Sequence, residues 1–483
     1  MQPGQNHQPD PSIFKAYDIR GIVDQTLTES TVLQIGLALG DMIREAGRDA
    51  CVVGRDGRLS GPRLVKALSE GLMAAGVRVI DIGQVPTPVV YYATVKTGCG
   101  TGVAVTGSHN PPHYNGLKMM VAGTTLWGER IQEIYKRVVD CHAASRLAMT
   151  GISVRHCEGP EGARGNPLHD DRPEISHDYL AAITSDIKLS RPMSIAIDAG
   201  NGVAGGIAPQ LFERLGCKVK ALFCEVDGNF PNHHPDPAHV ENLQDLIHAV
   251  KNSDAEIGLA FDGDGDRLGV VTKSGNIIWP DRQLMLYAQE VLQHKPGGQI
   301  IFDVKCTRHV AAWVRQHGGE PLMWKTGHSL IKAKLKETGA PLAGEMSGHI
   351  FFNDRWFGFD DGLYTAARLL EILSRAQDPS AVLEALPDSP STPELQLPTR
   401  EGESFTLVDR LRKEGEFPTA QEKITIDGIR VEYADGFGLA RPSNTTPVIV
   451  LRFEADNPQA LSRIQSEFRA NFQRLAPGTA LPF

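Results

Sequence analysis

The chain reads as an α/β protein: three similar strand–helix–strand units followed by a tail of different, α+β character. Two patterns carry that expectation. Short apolar segments alternate with amphipathic helical ones, each leading strand ending at an Asp, and a later group of strand-like segments closes on one long helix. Length agrees, because 483 residues exceed one hydrophobic core, and the usual domain size divides such a chain into roughly three or four compact units.

The first unit opens with Cys51-Val-Val-Gly-Arg-Asp56, followed by a helix over 62–75 and a strand over 76–82. In the second, Ser194-Ile-Ala-Ile-Asp198 leads to a helix over 208–215 and a strand over 216–222. The third runs Gln299-Ile-Ile-Phe-Asp303, a helix over 310–317, and a strand over 319–324. Units of this kind place functional turns at the carboxyl ends of their strands. The tail is expected to hold strands at 423–433, 436–440 and 448–454 and a helix at 458–472. Between these, 157–173 is rich in Gly, Pro, His and charge and reads as a surface loop, while the proline-containing stretch 378–398 reads as the linker into the tail. The expected domains are therefore 12–172, 173–275, 276–388 and 389–483.

A composition of 41% hydrophobic and 22% charged residues is that of a globular protein. The net charge of -9 argues against a general binder of nucleic acid or anionic membrane, so any anion needs a local basic site. The first twelve residues lack the basic start and apolar stretch of a secretory signal, and no apolar run reaches membrane-spanning length. A cytoplasmic protein is expected. Seven cysteines without a Cys-x-x-Cys pair point to neither disulfides nor zinc.

The loop Thr106-Gly-Ser-His-Asn-Pro-Pro-His113 presents one hydroxyl, Ser108, as the candidate reacting atom, exposed among turn-forming neighbours. It is not a hydrolase elbow, which would read Gly-x-Ser-x-Gly, and His109, adjacent in sequence, is expected to point away from it. The segment Asp262-Gly-Asp-Gly-Asp-Arg267 lies between apolar strands, and its glycines let Asp262, Asp264 and Asp266 face one centre. A calcium helix-loop-helix would need Gly at the sixth position and Glu at the twelfth; here stand Arg267 and Lys273. Oxygen ligands with room for a phosphate favour magnesium, and a phosphorylated Ser108 would complete a site that three acids leave open. Arg267 is placed to contact a phosphate oxygen or to neutralise excess acid.

Three further clusters suit a sugar phosphate. Gly344-Glu-Met-Ser-Gly-His349 offers Glu345, Ser347 and His349 in a glycine-bounded turn. Arg441-Pro-Ser-Asn-Thr-Thr-Pro447 gathers a fixed cation and several donors, including Ser443, Asn444 and Thr445, between two strands. Lys305 and His328 follow strand-like runs of the third unit and could line the same cleft.

These segments, with Lys15-Ala-Tyr-Asp-Ile-Arg-Gly21 before them, resemble in content and order the α-D-phosphohexomutase superfamily, its bacterial phosphomannomutase/phosphoglucomutase group in particular. The resemblance spans nearly the whole chain. It implies four domains around a central cleft, three α/β with mixed sheets and a last one like the TATA-binding protein. It implies Ser108 as phosphoserine, magnesium held by that phosphate with Asp262, Asp264 and Asp266, and Arg20 and Lys118 beside the transferring group. Tyr17 and His109 join the substrate-binding set, Glu345 and Ser347 grip sugar hydroxyls, and Arg441, Ser443, Asn444 and Thr445 hold the phosphate that stays. Lys118 and His349 are both candidates for the acid/base.

The implied reaction moves phosphate between the 1- and 6-positions of mannose and glucose phosphates through a hexose 1,6-bisphosphate, with glucose 1,6-bisphosphate as activator, in a monomer; the proline-containing linker at 378–398 further suggests that the fourth domain closes. Phosphoglucosamine mutases typically carry Gln where Met346 stands. That activity, and a phosphatase passing the same phosphoryl group to water, are the alternatives.

Overall fold

The computed structural model describes residues 9–149, 172–400 and 402–483. They contain four sheets, three mixed and one antiparallel. In the first, the central strand Ala50–Arg55 lies parallel to Arg78–Gln84 on one side and to Gly102–Val105 on the other. Tyr114–Val121 then returns antiparallel to Gly102–Val105, and Ile19–Ile22 pairs antiparallel on its far side. The second sheet repeats the plan: Ser194–Asp198 between Lys218–Leu222 and Ile257–Phe261, all parallel, then Leu268–Thr272 antiparallel. So does the third, with Gln299–Asp303 between Glu320–Trp324 and Leu342–Gly344, then Ile350–Phe352 returning. The central strands bury apolar middles, Cys51 to Val53, Ile195 to Ile197 and Ile300 to Phe302, because helices cover both faces of such sheets.

The three expected leading strands are thus present, two with the expected bounds, Ser194–Asp198 and Gln299–Asp303. The tail is the five-stranded antiparallel sheet, in the order Leu395–Pro398, Val448–Ala455, Gly436–Pro442, Ile429–Tyr433, Glu422–Ile424. Helices Glu403–Glu414 and Pro458–Leu475 cover it through Leu407, Leu411, Ile464, Phe468 and Phe472. Two expectations need correction here. The strand at 423–433 is two strands, because Gly428 at φ +75° turns the chain between them. The stretch 378–398 is not a bare linker: it forms helix Pro379–Glu384 and the edge strand Leu395–Pro398, an edge being where a sheet tolerates proline. The expected loop at 157–173 falls almost wholly outside the described residues, and helix Arg172–Asp186 takes up its end.

By packing, the chain forms two compact units, one of residues up to Ile278 with Arg355–Glu384, the other of Trp279–Asp354 with Ala385–Phe483. Within the first, helix Gly362–Leu373, capped by Asp361 through the Tyr364 N–H at 2.9 Å, packs on the strands that carry the acidic turn. The Gly362 N–H donates to Gly265 O at 3.1 Å, and a Cβ there would come within 2.8 Å of Arg267 O, so only glycine lets the helix start so close.

Five cysteines among the described residues are free thiols, with Cys51, Cys217 and Cys306 buried. Among the described residues no helix is long and apolar enough to cross a membrane.

Candidate active site

The three turns that carry chemistry occupy one topological position. Each joins the last parallel strand of a mixed sheet to its antiparallel return: Ser108 between Gly102–Val105 and Tyr114–Val121, the three acids between Ile257–Phe261 and Leu268–Thr272, and Glu345, Ser347 and His349 between Leu342–Gly344 and Ile350–Phe352. The carboxyl end of a parallel strand is where such sheets place their ligand groups.

In the acidic turn the backbone curls around Asp262. Its Oδ1 accepts the N–H groups of Gly265, Asp266 and Arg267, each at 3.1 Å, with Gly265 at φ +77° closing the curl. Its Oδ2 accepts from Arg267 Nε at 2.8 Å. Asp264 Oδ2 accepts from Thr87 Oγ1 at 2.6 Å and from Lys118 Nζ at 2.8 Å, and Lys118 also reaches Asp266 Oδ2 at 2.5 Å. All three carboxylates are fully buried. Burial pushes the Asp262 carboxyl up, against the pull of Arg267 and with the charges of Asp266 and Asp264 adding. Burial acts the same way on Asp264, but Lys118 and Thr87 outweigh it and hold that group below the usual carboxylate range.

One oxygen from each acid lies within 4.8 Å of the others, a spacing that fits a single cation. Asp264 Oδ1 is buried without a hydrogen-bond partner among the described residues, the condition of a ligand atom awaiting its ion. The acidic cluster fits a metal.

Ser108 lies against this turn. The backbone of Gly263 approaches so closely that a Cβ there would stand 2.4 Å from Ser108 O. Ser108 Oγ is 3.5 Å from Asp262 Oδ2, a long contact, and 3.2 Å from His109 Nδ1. His109 therefore does not point away, because Ser108 sits in the left-handed region at φ +50° and the reversed chain swings the next side chain back alongside it. Nor is the serine exposed: it is only 2% accessible, with the acidic turn and Arg58 packed against it. A non-glycine residue at that φ costs ~1–2 kcal/mol, strain held by the surrounding bonds.

Arg20 stands opposite Gly116 in the antiparallel ladder, two residues from Lys118, so Arg20 and Lys118 share a face of the first sheet. Asp18 forms an ion pair with Arg20. Tyr17 is half-buried in the bend leading into the Arg20 strand. Arg267 is buried and also pairs with Asp236 at 3.3 Å.

The second unit holds Glu345, Ser347, His349, Lys305, His328 and the loop at 441–446. Glu345 is buried and its Oε1 accepts the Gly327 N–H at 2.5 Å. Burial, opposed by His349 and aided by Asp303, pushes its carboxyl up to about 7. The His328 and His349 rings stack with centroids 5.3 Å apart, so two clusters separate in sequence form one site. Ser347 is half-buried beside Gly348, whose φ of +107° tightens the turn.

Lys305, buried rather than a surface residue, donates to Glu394 Oε2 at 2.9 Å. Arg441 Nε donates to Asp427 Oδ2 at 3.0 Å, and the same oxygen accepts the Thr326 N–H at 3.0 Å, tying the loop at 441–446 to the third sheet. In that loop Ser443 Oγ accepts the N–H groups of Thr445 and Thr446 at 3.3 and 3.2 Å; Asn444 is half-buried and Thr445 exposed.

Sequence reasoning missed the supporting acids and Thr87. Asp427 and Glu394 carry no local motif. The Asp ending each leading strand is visible as a repeat, however, and its bonds repeat too. Asp56 accepts from Thr106 and Gly107, Asp198 binds the His233 ring, and Asp303 accepts from Thr326 Oγ1 and the Met346 N–H. In the first and third sheets that Asp anchors the functional turn.

Four profiles of one family match the chain: phosphoglucomutase/phosphomannomutase alpha/beta/alpha domain I over residues 11–142, domain II over 177–275, domain III over 279–389, and the C-terminal domain over 394–471. A phosphoglucomutase of Neisseria meningitidis is 56% identical over 461 residues, 95% of this chain and 96% of its own. A phosphomannomutase/phosphoglucomutase of Pseudomonas aeruginosa is 52% identical over 473 residues, 98% of each chain. The crystal structure of a phosphoglucomutase/phosphomannomutase family protein from Burkholderia thailandensis is 57% identical, with a TM-score of 0.89 over 98% of this chain and all of that one. With its three mixed-sheet domains, its antiparallel C-terminal domain and its acidic turn against a buried serine, the chain belongs to the phosphoglucomutase/phosphomannomutase family.

Proposed function

We propose that this protein interconverts the 1- and 6-phosphates of mannose and glucose, with Ser108 as the carrier of the phosphoryl group. The observation that carries the reading is Ser108 Oγ held beside Asp262 in a buried turn of three acids. The residues suited to magnesium are Asp262, Asp264, Asp266 and the phosphate on Ser108. Bound there, the ion would neutralise charge on the transferring phosphoryl oxygens.

The chain's own residues do the rest. Phospho-Ser108 gives its phosphoryl group to the free sugar hydroxyl: the Ser108 Oγ–P bond breaks, a sugar O–P bond forms, and the hydroxyl proton passes to His349, since Lys118, paired with Asp264 and Asp266, keeps its own proton. The resulting hexose 1,6-bisphosphate, supplied also as the glucose form to prime the enzyme, turns over and returns its other phosphate to Ser108. Arg20, Lys118 and Arg267 supply positive charge for a loose transition state, aided by Tyr17 and His109. Glu345 and Ser347 take sugar hydroxyls, Lys305 and His328 border them, and Arg441, Ser443, Asn444 and Thr445 hold the phosphate that stays.

We further propose a cytoplasmic monomer with domains at 12–172, 173–275, 276–388 and 389–483. A glucose-only enzyme is the second reading, favoured by the name of the Neisseria relative at 56% identity. A magnesium-dependent assay with glucose 1-phosphate, mannose 1-phosphate and glucosamine 1-phosphate in parallel, each seeded with its bisphosphate, separates them. Comparable turnover of the first two supports dual use, and turnover of the glucose form alone supports the second. Faster turnover of the glucosamine form, or phosphate released as fast as product, overturns both.

A further inference from the structure

The Arg58 guanidinium lies wholly inside the first unit, and all but one of its bonds go to the backbone of the serine loop. Arg58 Nη2 donates to Ser108 O at 2.9 Å and Asn110 O at 2.5 Å; Nη1 donates to Pro111 O at 2.6 Å and Tyr114 O at 3.0 Å; Nε donates to Asp56 Oδ2 at 3.1 Å. A guanidinium has five N–H groups, so these partners use all of them. None remains for a phosphate, which separates Arg58 from Arg20, Lys118 and Arg267. The group also lies flat on the loop: a Cβ on Gly107 would stand 2.4 Å from Arg58 Cζ.

Asp56 completes the clamp. Its Oδ1 accepts the Arg58 N–H at 2.9 Å, and its Oδ2 accepts from Thr106 Oγ1 at 2.8 Å and from the Gly107 N–H at 3.1 Å. Thr106 Oγ1 in turn accepts the Ser108 N–H at 2.8 Å. Both backbone groups of Ser108 are therefore held, the N–H by Thr106 and the C=O by Arg58. That pair of bonds explains how a serine stays at φ +50°. With the backbone clamped, only rotation about Cα–Cβ is left to place Oγ. Water is kept out by the second sheet's loop, where the Phe230 ring lies 5.2 Å from Arg58 Cζ and Gly228 backs onto the Gly57 and Arg58 backbone.

We propose that Arg58, with Asp56 and Thr106, forms a buried template that aims the Ser108 hydroxyl for phosphoryl transfer, acting as a positioning group without touching substrate. The inference rests on the reading of Ser108 as phosphate carrier. Lysine cannot replace Arg58, because three donors on a flexible stem leave carbonyls of the loop unmatched. A displacement of the reacting atom by about 1 Å costs roughly a hundredfold in rate.

The test uses the full chain with Arg58→Lys, Thr106→Val and Ser108→Ala. Turnover of glucose 1-phosphate is measured with magnesium and saturating glucose 1,6-bisphosphate, together with the rate at which that bisphosphate phosphorylates Ser108, read by intact mass. Folding is followed by circular dichroism. The expected result is a kcat lower by roughly a hundredfold in Arg58→Lys and roughly tenfold in Thr106→Val, Ser108 labelling slowed by the same factors, and KM little changed.

A folded variant with normal kcat and labelling overturns the proposal, as does a loss confined to KM. If Arg58→Lys does not fold, Thr106→Val decides, since it conserves volume and leaves the Arg58 bonds in place. A Thr106→Val chain that fails to fold also overturns the proposal, because the clamp would then serve the fold and not the serine. Full activity in Ser108→Ala would remove the underlying reading itself. An inactive Ser108→Ala beside normal Arg58→Lys and Thr106→Val would remove this inference alone.

Discussion

The acidic turn of the first unit and the loop at 441–446 of the second are built in opposite ways. Asp262, Asp264 and Asp266 are fully buried, and each has an oxygen bonded to Lys118 or Arg267. Around Ser443 to Thr446, hydroxyls and backbone N–H groups bond mainly to one another, with Thr445 and Thr446 exposed. The difference suits the role proposed for each. Charge that develops in a transition state is stabilised by dipoles already fixed before reaction. On the proposed reading, the loop at 441–446 receives the 1-phosphate in one pose and the 6-phosphate in the other, and such a site gains from donors that can exchange internal bonds for phosphate oxygens. Arg441, pinned by Asp427, is the fixed point of that otherwise adaptable loop.

The largest effect that would sharpen this contrast belongs to Ser108→Ala. Loss of the carrier should lower steady turnover by at least ~1000-fold, while a coupled assay for glucose 6-phosphate formation and a thermal melt show intact protein; substantial turnover would break the comparison at its rigid end. Next comes Asp264→Asn, in which an amide oxygen can still accept from Thr87 but a ligand charge is gone. Calorimetric titration with magnesium should show affinity weaker by roughly a hundredfold, and kcat should fall with it.

Intermediate is Glu345→Gln, read through pH. The native carboxyl, pushed up to about 7 from an ordinary 4.5, keeps a proton that the unfolded chain releases. Its contribution to stability is full below about 4.5 and is lost as pH rises through 7. Denaturant melts from pH 4 to pH 8 should therefore show a decline in the parent, on the order of 3 kcal/mol at most, that flattens in the variant.

Arg441→Lys comes fourth. A lysine loses the fork that can hold Asp427 and a phosphate together, and KM should rise roughly tenfold with kcat changed less. Smallest is Thr445→Ala, an exposed hydroxyl: KM should rise by about twofold, with stability within about 0.5 kcal/mol of the parent. If Thr445→Ala cost as much as Asp264→Asn, the two ends would not differ as described.

Much of the site is legible in the sequence because its groups are local. Asp262, Asp264 and Asp266 are spaced by glycines, and a tight turn is the conformation that spacing allows. Glu345 to His349 and Arg441 to Thr445 likewise sit in single turns between strands. Contact between segments distant in sequence is not legible in this way. Nothing near residue 58 shows that its guanidinium binds carbonyls around residue 110, and nothing near residue 87 shows a hydroxyl on Asp264. The direction of His109 is misread from sequence for a related reason, since it depends on the φ of Ser108, which nonlocal bonds impose.

By itself the sequence determined the strand–helix rhythm, the positions of the turns and the candidate groups they carry, because periodicity, glycine spacing and side-chain chemistry act over a few residues. Only the tertiary structure decided that the Ser, acid and sugar turns share one topological place in three sheets, that Ser108 is buried, and that Asp56, Asp303 and Asp427 brace the site. Those facts depend on strand pairing and on burial. Removing water makes each unmatched polar group costly, so the folded chain supplies partners from wherever packing brings them within reach.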